Sequence, residues 1–433
     1  MVRQPMRASI FDINLRAEML PLVSLTVLAI LLAVVPAAQA QTYTVLHNFI
    51  GGADETNSQS GLTISPSGQL YGTTLGPEQC TAGCGTVYRI SRAGTGWIFS
   101  TLYAFRGGTD GSAPGAPVAI AADGSLYGTT GNGGLLNGCY GSGCGTVYHL
   151  QPPATFCKSV SCPWNETVLY RFQDCPSLNL PGGGVAFDRS GNIVAVTGEG
   201  GLGCQDDNEG WGGVYELTPS SGGWTYQVVY QFSAGFDGCT PLSTPLVNQA
   251  GNILGTNYEC GANGAGAVYE ISPSGTGWSE SILYSFGQTQ TDGAEPFAGL
   301  ISDSAGNLYG TTAYGGLNGS GEVFELSPAG SGYTYSVLYN NFSGGVGSTS
   351  RLTMDAAGNL YGVQYLGGAN NKGMVFKLTP GSGSWTLSDL HDFDASTGSN
   401  PIGQVALDAA GNLYGTTTQG GTNGNGVIWE VTP

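Results

Sequence analysis

The chain has 433 residues, with 12 basic and 30 acidic side chains and a net charge of −18. So acidic a polypeptide repels phosphate backbones and anionic bilayer surfaces, which argues against nucleic acid or an acidic membrane as partner. Only 10% of it is charged, 40% is apolar and 74 residues are glycine, a composition for folding with many turns rather than for disorder.

In chain order, Arg3, Arg7 and Arg16 come first, and an uncharged run from Met19 ends in Ala38-Gln39-Ala40. That order predicts a secretory signal peptide over residues 1–40, released before Gln41. A retained anchor is the competing reading, because about 20 apolar residues can also span a bilayer. Pro21, Pro36 and the Ala-rich end favour cleavage. Its removal takes away the three arginines with Asp12 and Glu18 and leaves a net charge of −19. No second apolar stretch of that length follows, and the chain stops at Glu430-Val431-Thr432-Pro433 without an anchor. An extracytoplasmic protein is expected, secreted or periplasmic, and monomeric. Ten cysteines then read as five disulfides.

From residue 41 onward one phrase recurs seven times. It stands as Leu70-Tyr71-Gly72-Thr73-Thr74, Leu126-Tyr127-Gly128-Thr129-Thr130, Leu308-Tyr309-Gly310-Thr311-Thr312, Leu360-Tyr361-Gly362-Val363 and Leu413-Tyr414-Gly415-Thr416-Thr417. Worn copies lie at Ile193-Val194-Ala195 and Ile253-Leu254-Gly255, with steps of 52 to 67 residues throughout. A period of this size marks a repeat architecture. Each period holds four strand-like segments, a to d. The fifth shows them clearly: Leu300-Ile301, Leu308 to Thr312, Val323-Phe324-Glu325-Leu326 and Tyr333 to Phe342. Apolar and polar residues alternate with a strand's period of two, and no segment has a helical period.

Seven repeats of four strands predict an all-β fold: a seven-bladed β-propeller of antiparallel blades forming a single domain over residues 41–433. The ends agree. Tyr43 to Phe49 reads as an isolated d strand, while the last repeat stops at a c strand, Val427 to Val431. The first would complete the sheet of the last and close the ring. A linear solenoid would instead need capping repeats.

The b–c and d–a loops of such a blade emerge on one face, where propellers bind ligands. That places Cys175 beside Cys204 and Cys239 beside Cys260, and predicts those pairs. Cys80–Cys84, Cys139–Cys144 and Cys157–Cys162 are expected within single loops. Asp54, Asp110, Asp237 and Asp292 recur in the d–a turns of the same face. Carboxylates beside glycine-rich backbone could hold calcium, although an Asx-type turn explains aspartate there without any ion. The Asp-x-x-Gly-Asn element, as at Asp355 to Asn359, reads as the a–b hairpin turn. His47 and His391 replace a recurrent tyrosine of strand d and read as packing, while His149, at a polar position of strand c, is expected to be exposed.

The segment departing most from the repeat runs from Cys204 to Gly212, with Asp206, Asp207, Glu209 and an exposed-looking Trp211. Carboxylates beside a sugar-stacking aromatic suit a glycosidase, but a solvated acidic loop pinned by a disulfide needs no function.

Gly-Asn-Leu-Tyr-Gly-Thr-Thr, a Gly-Gly-rich loop, Gly-x-Val-Phe-Glu-Leu-x-Pro and Leu-Tyr-x-Phe together resemble the bacterial GloVer (Gloeo/Verruco) tandem-repeat family over about residues 43–433. The resemblance implies an exported repeat protein and brings no catalytic residues with it. The expected function is a non-catalytic binding or interaction scaffold whose repeated loops contact a glycan or an extracellular protein multivalently. A polysaccharide-active propeller enzyme, hydrolase or lyase, using Asp206, Asp207 or Glu209, and a calcium-stabilised structural protein are the alternatives.

Overall fold

The computed structural model describes residues 41–52, 57–76, 84–136, 138–153, 164–204, 210–330 and 332–432. Every Leu-Tyr-Gly-Thr-Thr copy forms strand b of a four-stranded antiparallel sheet, and seven such sheets make a seven-bladed propeller. Blade 5 is representative, with strands at Ile301–Ser302, Leu308–Thr311, Val323–Ala329 and Gly332–Tyr339 hydrogen-bonded in that order.

The motif has a packing cause at each position. Gly310 lies opposite Phe324 across the b–c ladder, and a Cβ there would come 2.5 Å from its ring. Tyr88, Tyr148, Tyr269, Phe376 and Trp429 cross Gly72, Gly128, Gly255, Gly362 and Gly415 in the same way. Strand b thus gives up its side chain so that a large ring of strand c can lie across it. The first threonine joins neighbouring blades. The hydroxyls of Thr129, Thr256 and Thr311 donate to the carbonyls of Gly183, Ala298 and Ser350 at 2.8, 3.1 and 3.1 Å, each in the next blade. Blades 3 and 6 carry Val196 and Val363 at this position. The second threonine closes the b–c loop: Thr312 Oγ1 accepts the Glu322 N–H and Thr417 Oγ1 the Val427 N–H.

The ring closes on itself as its ends implied. Blade 7 takes Ser399–Leu407, Leu413–Gln419 and Val427–Thr432 from the C-terminal region and Thr42–Asn48 as its outer strand. Across the closure Thr416 Oγ1 donates to Ser58 O at 3.2 Å, and Arg92 pairs with Glu430 at 2.7 Å.

The hydrophobic core lies between blades. One cluster joins Tyr71 and Val87 of blade 1 to Leu126 and Tyr148 of blade 2, and another joins Tyr414 and Ile428 of blade 7 to Leu62 and Tyr88 of blade 1. This arrangement corrects one expectation. His149 is half-buried rather than exposed, its ring stacked on Tyr127 at 4.2 Å, and burial lowers its pKa. Both faces of a blade pack against neighbours, so a polar position on strand c is not a solvent position. His47 and His391 are packing groups, stacked on Phe99 at 4.2 Å and on Tyr43 at 3.7 Å.

Candidate binding site at the channel mouth

Two disulfides fix which loops share a face. Cys175–Cys204 and Cys239–Cys260, with Cα atoms 5.6 and 5.4 Å apart, each tie a d–a loop to the b–c loop of the blade it enters. Cys139–Cys144 staples a third loop, Cα to Cα 5.2 Å. Cys84 is disulfide-bonded, but Cys80, Cys157 and Cys162 lie outside the described residues, so the other two expected pairs do too. These bonds suit an oxidising, extracytoplasmic environment. Among the described residues no helix is long and apolar enough to cross a membrane.

At the centre of this face, the segments entering strand a in all seven blades surround a narrow neck of about 200 Å³. Above it, d–a and b–c loops of blades 1, 4, 5, 6 and 7 form a wider mouth of about 460 Å³. The two meet at Gln59, Phe297, Thr349 and Ile402. Tyr258, Phe297, Tyr314 and Tyr365 line the mouth on one side, and Asn57, Gln59, Thr418 and Gln419 provide amides and hydroxyls on the other. Phe297 and Tyr314 remain 36% and 40% exposed, large rings left open to water. Tyr258 is held in place: its hydroxyl donates to Glu295 at 2.5 Å and its ring meets Phe297 edge-on at 5.9 Å. Burial, with the Glu295 carboxylate second, raises its pKa, so it stays a neutral donor.

In the neck, Arg351 is the charged member of the described lining. Its Nε donates to Leu300 O at 3.1 Å, and burial lowers its pKa. The hydroxyl of Thr349 is buried with no hydrogen-bond partner among the described residues.

The described candidates read from sequence lie elsewhere. Asp110, Asp237 and Asp292 close their own loops, accepting the N–H of Arg106, Ser233 and Gln288 at 3.1, 2.9 and 2.9 Å. Each also accepts a strand d tyrosine hydroxyl, from Tyr103, Tyr230 and Tyr284. None of the three lines the mouth or the neck. Among the described residues, the potential ligands grouped tightly enough for a metal are Cys139, Cys144 and Asp174, and the two sulfurs are already joined. Asp54, Asp206, Asp207 and Glu209 lie outside the described residues. Trp211 is not exposed. Its half-buried indole packs on the cluster of Val196 and Phe232, over Gly203, where a Cβ would come 2.2 Å from Nε1.

Sequence reasoning missed the mouth. Its signal is a departure from the repeat just after strand b, where blades 4 and 6 carry Tyr258 and Tyr365, and blade 5 Tyr314 one residue later, while blades 2 and 3 carry Gly131 and Gly198.

The profile of the Gloeobacter/Verrucomicrobia repeat matches residues 34–247, 142–352 and 243–433. No curated protein matches the chain. Among solved structures, a protein of unknown function from Dyadobacter fermentans is similar at 10% identity and a TM-score of 0.46, covering 91% of this chain and 98% of that one. A glucose dehydrogenase is similar at 15% identity and 0.41, covering 78% and 100%. The Trypanosoma rangeli sialidase is similar at 10% and 0.40, covering 91% and 59%.

Proposed function

The chain belongs to the Gloeobacter/Verrucomicrobia repeat family, and from that footing we propose an exported, monomeric propeller that binds an oligosaccharide at its channel mouth without cleaving it. The supporting observation is the one-sided group of Tyr258, Phe297, Tyr314 and Tyr365 facing the amides of Asn57, Gln59 and Gln419. Apolar faces of sugar rings stack on aromatics, and their hydroxyls bond amide groups. The mouth is of the size that encloses a small ligand. Because the rings come from three consecutive blades, the loops are not equivalent, which favours one ligand over multivalent contact. No carboxylate lines the mouth or neck among the described residues, whereas glycoside hydrolysis needs two. Residues 1–40 would direct export, and the disulfides suit the destination.

A glycan array followed by calorimetry tests this. Tyr258→Ala, Tyr314→Ala and Tyr365→Ala should each weaken the strongest ligand about tenfold. Release of reducing sugar from that ligand, lost in Asp206→Ala, Asp207→Ala or Glu209→Ala, would replace the binding protein with an enzyme.

A further inference from the structure

We infer that the oligosaccharide is acidic, and that the carboxylate of a terminal uronate enters the neck to pair with Arg351. This rests on the reading of the mouth as a glycan site. The position of Arg351 is the first observation. It stands two residues before the strand a residue paired with the Tyr361 copy of the motif. At the same place the other blades carry Gly61, Pro117, Gly184, Thr244, Gly299 and Gln404. Among the described residues only blade 6 sends a charge into the channel.

The second observation is how that charge is held. The bond to Leu300 O engages Nε, and Arg351 forms no ion pair among the described residues. Burial is the cause of its lowered pKa, with no acidic neighbour among the described residues to oppose it. A guanidinium stays protonated even so. A half-buried cation without a counter-charge among the described residues bears part of the cost of desolvation, and a carboxylate arriving with two parallel hydrogen bonds relieves it.

The third is the surrounding polarity. Thr349, whose hydroxyl is buried without a partner among the described residues, lines both neck and mouth, and Gln59 lines both as well. These groups would meet the hydroxyls of the ring that bears the acid. The neck, about 200 Å³, compares with about 30 Å³ for one water. It holds one end of a sugar chain, and the neutral rings behind that end reach the aromatics of the mouth. The acidic exterior repels polyanions, so the attraction is confined to the neck.

The test is calorimetry with trisaccharides whose terminal residue alone is galacturonate, glucuronate or mannuronate, the other two rings neutral, each beside its methyl ester. At least one acid should bind about tenfold or more tightly than its ester, as expected for a hydrogen bond to a charged group. Arg351→Gln should abolish that difference by weakening the acid alone, and Arg351→Lys should restore part of it. Tyr314→Ala should weaken acid and ester equally. Equal binding of every acid and its ester, or a preference that survives Arg351→Gln, overturns the inference while leaving a neutral-glycan reading intact. Displacement of the uronate by acetate at the same concentration also overturns it, as a site for any small anion. Failure of every saccharide to bind defeats the inference together with the reading beneath it. Should Arg351→Gln not fold, the acid-to-ester comparison on the wild type decides.

Discussion

Trp97 of blade 1 meets Tyr414 of blade 7 edge to face, with ring centroids 5.7 Å apart. The same contact repeats around the ring: Trp164 on Tyr71, Trp224 on Tyr127 and Trp385 on Tyr309. The tryptophan that opens strand d therefore reads the motif tyrosine of the preceding blade, and at the closure it joins parts of the chain far apart in sequence. Trp97→Ala should cost about 3 kcal/mol in urea unfolding. A double-mutant cycle with Tyr414→Ala should return a coupling of about 1 kcal/mol. Additive effects would mean that the closure does not depend on this contact.

The threonine links give a smaller, more specific effect. Thr256→Val removes the hydroxyl that donates to Ala298 O at 3.1 Å and keeps the shape of the side chain. Because the carbonyl is buried, its loss should cost about 1–2 kcal/mol by chemical denaturation. Blade 3, which already carries Val196, shows that a blade can be built without the link.

Stability should fall as pH rises from about 5 to 8. Burial first, and the nearby Asp292 as well, raise the pKa of Glu322 to about 7, against hydrogen bonds from Tyr335 and Gly293 that act the other way. Burial likewise raises Glu166 and Glu280 to about 7. A carboxyl whose folded pKa lies above its unfolded value contributes most below the unfolded value. That contribution is lost as pH passes the folded one. For Glu322 the change is of the order of 3 kcal/mol. Glu322→Gln should flatten the dependence of melting temperature on pH in this window; an unaltered slope would show that Glu322 does not cause it.

Calcium should not matter to the d–a turns that are described. Asp237 Oδ2 accepts the Ser233 N–H at 2.9 Å and Oδ1 the Ser233 hydroxyl at 2.8 Å, so both oxygens are engaged locally. Asp237→Ala should lower stability by about 1 kcal/mol, equally in calcium and in chelator. A melting temperature that drops in chelator for the wild type alone would restore the metal reading.

Much of the fold was legible because each blade solves the same packing problem. A ring lying over Gly310 demands a glycine there, a hydroxyl reaching Ser350 demands Thr311, and repetition makes both visible in one sequence. The closing strand was legible too, since Tyr43 to Phe49 matched strand d with no a, b or c before it. The mouth was not, because its residues obey no period. Tyr258 and Tyr365 sit in loops and Tyr314 in a two-residue strand, Tyr314–Gly315, where nothing local distinguishes an open ring from a packed one. Trp211 shows the same difficulty in reverse: an aromatic beside acidic residues looked open, yet it packs over Gly203. Arg351 emerged only when strand a of all seven blades could be aligned through its pairing with strand b.

Hydrogen–deuterium exchange in the presence of the strongest glycan from the array tests the central claim, that binding occurs at the channel mouth. The account predicts slower exchange in 57–60, 257–259, 297–299, 313–315, 346–351, 364–366, 402–404 and 418–420, with the remainder unchanged. Protection centred instead on 203–212, or spread evenly over the loops of all seven blades, would contradict it.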